Sequence, residues 1–140
     1  MSEPHAILIA GPTASGKSAH ALAVARDTHS VIINADSMQV YSDLRLLSAR
    51  PTVADESEIP HALYGHVDGA ETYSVARWLT DVTGGIETAQ AAGQLPIITG
   101  GTGLYFKALL AGLSPVPDIP SDVRQKWRTF GEQGLSLIHI

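Results

Sequence analysis

The 140-residue sequence has no cysteine. That excludes a disulfide framework, a thiolate metal site and a cysteine nucleophile, and it agrees with a reducing compartment. Long hydrophobic runs are missing too. The stretch Ala6–Ala10 is far too short for a signal segment or a membrane span, and Glu3 spoils a basic leader. The expectation is a cytoplasmic protein with no membrane segment. Basic residues are scarce, 9 Lys and Arg against 14 Asp and Glu, for a net charge of −5. Taken alone, that balance argues against a nucleic-acid surface. No internal repeat or low-complexity tract is present, and the histidines, His20, His61 and His66 among them, lack metal-ligand spacing.

What is present is ordinary for a globular domain: 44% hydrophobic and 16% charged residues. The length suits one domain with a real core and is short for two. Arg124, Lys126 and Arg128 cluster around Trp127. The expectation there is a solvated helix face, with a basic contact beside an aromatic ring as the alternative.

Apolar runs at Ala6–Ala10, Val31–Ile33 and Leu95–Thr99 predict three buried parallel strands. Helix-prone stretches fall between and after them, at Lys17–Asp27, from Ser74 toward Ala92, and at Leu104–Leu113. Ser74 is placed as an N-cap and Gly93 as a C-cap, while Gly84 and Gly85 predict a break or a bend. Tyr41–Gly69 shows no period and reads as loops and short elements. The alternation predicts an α/β fold, a parallel sheet covered by helices on both faces.

Three constellations carry chemistry. The first is GPTASGKS, comprising Gly11, Pro12, Thr13, Ala14, Ser15, Gly16, Lys17 and Ser18. The spacing GxxxxGK[ST] between a strand and a helix wraps backbone N–H groups around phosphate oxygens, where the helix dipole also favours negative charge. Lys17 adds a point charge, and the Ser18 hydroxyl is placed to hold Mg²⁺. Loops of this kind serve nucleotide- and ATP-binding proteins, but the motif specifies phosphate or diphosphate and does not single out ATP. The second is INADSMQVY, where Asp36 follows the second strand at the carboxyl end of the sheet. Asp36 can be a general base, a substrate binder or an outer Mg²⁺ contact; an Asx turn or an N-cap accounts for it equally well. Ser37 and Gln39 are polar neighbours suited to hydrogen-bonding a nucleobase. The third is GGTGLY at Gly100–Tyr105. Where an ATP-hydrolysing enzyme would end its strand in an acid, this chain offers the neutral hydroxyl of Thr102 near a helix N-terminus. Thr102 also reads as a simple N-cap. The missing acid weakens the ATPase and GTPase readings.

In order along the chain, GPTASGKS, NADSMQVY, ARP, IPHALYGHVD, YSV and PIITGGTGLYFKALLAGLSP resemble the motifs of tRNA dimethylallyltransferases, from about Ala6 to Arg124. The resemblance implies a fold like that of P-loop NTPases and kinases. It implies transfer of a dimethylallyl group from dimethylallyl diphosphate to the exocyclic amine of the adenosine 3′-adjacent to the anticodon, in tRNAs reading codons that begin with U. Residues 11–18 would hold the donor diphosphate, the leaving group, with Mg²⁺ as cofactor at Ser18. Asp36 would be the general base and Thr102 would touch the diphosphate near the breaking bond. Asp36, Ser37, Met38, Gln39, Thr102 and Arg124 would meet the tRNA. The adenine must leave its stack to present its amine. A monomer is expected.

The sequence departs from the family pattern at several places. Ser18 stands where many members have Thr, Arg50 where Lys is usual before Pro51, and Ala62 where a second histidine is common. SDLRLLS, between Tyr41 and Ala49, is divergent. The closing LSLIHI carries no capping signal and its codons resemble the transposon end used in preparing sequencing libraries. The expectation is one P-loop domain portion at 1–134, truncated at its C-terminus and inactive by itself, with a non-native tail at 135–140. Two other activities fit the phosphate loop: an adenylate isopentenyltransferase of the cytokinin-forming kind, and a small-molecule kinase.

Overall fold

The computed structural model describes residues 5–114 and 119–132. The tail at 135–140 lies outside them. Among the described residues, four strands form one parallel sheet in the order β1-β4-β2-β3: β1 Ile7–Ala10, β2 Ser30–Asn34, β3 His61–Ala62 and β4 Leu95–Gly100. Among the described residues, five α-helices accompany them: α1 Lys17–Arg26, α2 Val53–Glu58, α3 Val75–Ala91, α4 Gly103–Ala111 and α5 Ser121–Glu132. A short 3-10 helix occupies Ser42–Leu44. The three strands predicted from apolar runs are present, and the Tyr41–Gly69 stretch is indeed loops and short elements. The two-residue β3 within it was not anticipated.

Side-chain alternation sends Ile32 and Ile97 to one face of the sheet, where Ala21 and Ala25 of α1 cover them. Val31, Ile33 and Ile98 go to the other face, under Trp78 and Val82 of α3 and Tyr105 and Phe106 of α4. The sheet is therefore covered on both faces, as expected. One strand departs from expectation. β1 is not fully buried, because it pairs with β4 alone and lies at the edge of the order, leaving Leu8 37% exposed.

The break predicted at Gly84 and Gly85 is absent; α3 runs unbroken from Val75 to Ala91. Each glycine costs about 1 kcal/mol relative to alanine in a helix. Burying Trp78 and Val82 completely is worth about 1.5–3 kcal/mol per side chain, so packing outweighs propensity. The caps are as expected. Ser74 Oγ accepts the N–H of Arg77. At the other end Gly93, at φ 67°, donates to Gln90 O while Gln94 donates to Ala89 O, a Schellman closure.

Candidate functional site

The phosphate loop leaves β1 and enters α1 through Gly16, whose φ of 83° is a left-handed conformation natural to glycine. Gly16 has no side chain to cap the helix. The N–H groups of Lys17, Ser18 and Ala19 therefore have no intrahelical acceptor, and the first helical bond runs from His20 N to Gly16 O. Ala14 also takes a positive φ, 62°. Lys17 Nζ folds back to donate to Pro12 O at 3.0 Å. A strained turn, three unpaired donors and a cation converge on one exposed concavity.

Asp36 lies two residues past the end of β2, and that strand end is held from several sides. Trp78, fully buried and stacked on Tyr105 at 4.3 Å, donates its indole N–H to Asn34 O. The Asn34 amide donates to Leu63 O and Asp36 O, and its Oδ1 accepts the N–H of Asp36. One carboxylate oxygen of Asp36 accepts the N–H of Met38 at 2.9 Å, so the residue does make an Asx turn. The other oxygen faces Gly101, where an added Cβ would lie 3.7 Å from it and 3.9 Å from Lys17 Nζ. The Asx turn thus uses one oxygen and leaves the second turned toward Gly101, whose other side Lys17 Nζ approaches.

Thr102 occupies the N-cap position of α4 but its hydroxyl does not cap the helix. It accepts the N–H of Ser37 at 2.9 Å, tying the loop that carries Asp36 to the end of β4. Gly100 lets that crossing happen: a Cβ there would sit 2.2 Å from the backbone of Ala35, which cannot yield. No acid ends β4.

The phosphate loop and Asp36 border a cleft of about 630 Å³. Thr13, Ala14, Gly16, Lys17 and Ser18 line one side, and Asp36, Met38 and Gln39 the adjoining side. Ser37 and Thr102 stand behind Asp36 and do not line the cleft. Gln39 donates its amide to Ser48 O and Ala49 O, which fixes the third wall, Leu44, Leu47, Ser48 and Ala49. Sequence reasoning missed this wall. Its only signal was leucine in a stretch that otherwise reads as loop. Arg124 is brought to none of this; it lies exposed on α5, which packs broadly on no other element among the described residues.

The site therefore joins a glycine loop with free N–H donors and a lysine to a wall carrying Leu44 and Leu47, with one carboxylate between them. An isopentenyl transferase model matches residues 4–61, and an IPP transferase model matches residues 39–139. The chain belongs to the IPP transferase family. A tRNA dimethylallyltransferase of Azorhizobium caulinodans is 60% identical over 136 residues, 97% of this chain and 44% of that protein. One of Rhodospirillum rubrum is 63% identical over 122 residues, 87% of this chain and 37% of that one. This IPP transferase chain thus spans less than half the length of these relatives. Among solved structures, the full-length tRNA isopentenylpyrophosphate transferase of Bacillus halodurans superposes with a TM-score of 0.75 at 31% identity, over 92% of this chain and 43% of that one. A eukaryotic dimethylallyltransferase acting on tRNA gives 0.75 at 34% identity, over 79% and 27%. The fold is accordingly the P-loop NTPase-like fold of this family. No helix among the described residues is long and apolar enough to cross a membrane.

Proposed function

We propose that this chain supplies the donor-binding and proton-accepting part of a tRNA dimethylallyltransferase. The observation that carries the reading is the cleft itself, with a phosphate loop on one side, an apolar wall on another and Asp36 between. A prenyl diphosphate has that same division, an anionic head and a hydrocarbon tail. The free N–H groups of Lys17, Ser18 and Ala19 would take the diphosphate oxygens, and Lys17 would neutralise charge that grows on the leaving group as the carbon–oxygen bond breaks. Asp36 would accept the proton of an adenine amine attacking the freed carbon. Thr102 would act on Asp36 through the Ser37 N–H.

Mg²⁺ fits this set in a limited way. It takes oxygen ligands, keeps waters, and is commonly held by one or two protein groups and substrate phosphates. Ser18 offers one hydroxyl at the loop, and no cluster of three or more His, Asp or Glu stands ready among the described residues. When bound, the ion would add charge neutralisation on the departing diphosphate. The whole enzyme, its tRNA contacts, cytoplasmic location and monomeric state belong to this same reading; Arg124 on α5 would contribute to the tRNA surface.

Calorimetry tests the donor site. The chain should bind dimethylallyl diphosphate more tightly than isopentanol and pyrophosphate presented separately, and Lys17→Ala should weaken binding at least tenfold. Adding ATP and candidate hydroxyl substrates tests the kinase alternative. ATP turnover, or unchanged diphosphate binding by Lys17→Ala, overturns the reading.

A further inference from the structure

The apolar wall of the cleft is not held in place by packing. No residue from Tyr41 to Ile59 is buried, and Leu46 and Leu47 at the turn are almost fully exposed. Yet the turn has a demanding shape. Ser48, Ala49 and Arg50 donate their N–H groups back to Leu44 O, Leu46 O and Arg45 O, and Ala49 takes a φ of 51°. A left-handed backbone is unfavourable for a residue with a Cβ and persists only where its surroundings over-determine it. Gln39 supplies part of that restraint, since its amide donates to Ser48 O and Ala49 O. The rest comes from charge.

Two arginines bracket the wall, and both meet Glu56 of α2. Arg45 Nη2 donates to Glu56 Oε2 at 2.8 Å, and its Nη1 donates to Pro51 O at 2.8 Å. Arg50 Nη2 lies 3.8 Å from Glu56 Oε1, and its Nη1 donates to Ser42 O at 3.3 Å. Each carboxylate oxygen thus meets one guanidinium. Arg50 is the confined partner. Its side chain is 8% exposed, and an added Cβ at Gly65 would fall 1.9 Å from Nη1. Among the described residues no other carboxylate lies within 4.0 Å of either guanidinium. Removing the Glu56 charge would leave two cations on one neutral partner, one of them nearly buried. A capping box between Thr52 and Asp55 sets the first turn of α2, and with it the place of Glu56.

We propose that Glu56 is a positioning residue for the hydrocarbon side of the cleft: by joining Arg45 and Arg50 it holds the Leu44–Ala49 wall, and so favours a prenyl tail without acting on the phosphates. The ligand in this inference rests on the donor-site reading above; the restraint on the wall stands on the geometry alone. Glu56 does not border the cleft, so it acts through the two arginines. Glu58, two residues on, provides the contrast. It pairs with Arg26 of α1 at 2.6 Å, but both side chains are about half exposed, where ion pairs contribute little.

The test compares the 140-residue chain with Glu56→Gln and Glu58→Gln. Calorimetry reads dimethylallyl diphosphate and inorganic pyrophosphate separately, and limited trypsin digestion reads cleavage after Arg45. Glu56→Gln should weaken dimethylallyl diphosphate binding roughly three- to tenfold, the equivalent of about one hydrogen bond. Pyrophosphate binding should stay within twofold. Losing a negative charge favours both anions at long range, so it cannot imitate a loss confined to the tailed ligand. Cleavage after Arg45 should be several-fold faster in Glu56→Gln, with cleavage after Lys107 in α4 unchanged. Glu58→Gln should alter none of these. Unchanged cleavage after Arg45 overturns the restraint on the wall, whatever the ligands do. Equal weakening of both ligands, or of neither, overturns the role in holding the tail. An unaltered chain that binds dimethylallyl diphosphate no better than pyrophosphate would instead strike the donor-site reading, while the digestion still decides the restraint.

Discussion

Asp36 and Thr102 stand in the same small network, yet they hold different backbone groups, Asp36 the Met38 N–H and Thr102 the Ser37 N–H. The Asx turn made by Asp36 needs only an acceptor oxygen, and asparagine keeps one. Asp36→Asn should therefore leave the loop formed and pyrophosphate binding within twofold. It should remove proton acceptance, typically a loss of about 10²–10⁴-fold in the chemical step. Thr102→Ala takes away the acceptor of the Ser37 N–H and lets the loop loosen. A neutral hydrogen bond contributes about 1 kcal/mol net, which corresponds to a loss of order tenfold or less. Single-turnover prenyl transfer, measured in a chain extended with the matching remainder of the Azorhizobium relative, ranks the two. A faster Asp36→Asn than Thr102→Ala would reverse the assignment. Neither distinction was available from the motif, since the sequence left Asp36 open between an Asx turn and a base. The Asx turn occupies one carboxylate oxygen, and the base proposed above would use the other.

Helix α3 carries the element-scale lesson. Its two glycines meet different demands from the glycine just beyond its end. Gly84 has helical backbone and open space around an added Cβ, and Gly85 meets only Ile33 at an ordinary 3.5 Å. Gly84→Ala should stabilise the fold by roughly 0.5–1 kcal/mol, mostly by restricting the unfolded chain. Gly93→Ala should cost roughly 1–2 kcal/mol, because its φ of 67° is left-handed. Urea titration of the two variants against the unaltered chain checks both signs; equal effects would remove the capping argument. Ser74 and Gly93 marked the ends of this helix in the sequence because caps are local chemistry. Gly84 and Gly85 misled because the packing of Trp78 and Val82 against the sheet is not local. The same reason hid β3, whose two residues are strand only through pairing with Ile32 and Ile33. It also hid the Leu44–Ala49 wall, which Gln39 holds by its amide. The phosphate loop was legible because its spacing alone dictates its geometry.

At the scale of the whole molecule, the described tyrosines with shifted ionisation all shift in one direction. Burial raises Tyr64 first, with the charges of Asp36 and Glu56 adding to it. Tyr73 is raised by burial, then by its hydrogen bond to Asp81. Tyr105, stacked on Trp78, is raised mainly by burial. Above a pH of about 10 the unfolded chain releases these protons and the folded one keeps them. The folded state then binds more protons than the unfolded state, so stability falls as pH rises. The acid side has the opposite sign. Asp55 is held below the usual carboxylate range, chiefly by the Thr52 hydroxyl and then by the Thr52 backbone N–H, in the capping box of α2. That contribution is present above a pH of about 4 and is lost as pH falls through the lowered value. Its partners are largely open to solvent, so the acid limb should be shallow and salt-sensitive. The alkaline limb should be the steeper one, since three groups share it. Urea midpoints across the pH range test this, with Tyr64→Phe as the control: it removes one ionisation and should flatten the loss above pH 10 while leaving the acid limb unchanged. An alkaline limb unaltered by Tyr64→Phe, Tyr73→Phe and Tyr105→Phe together would show that other groups set the upper pH limit of this fold.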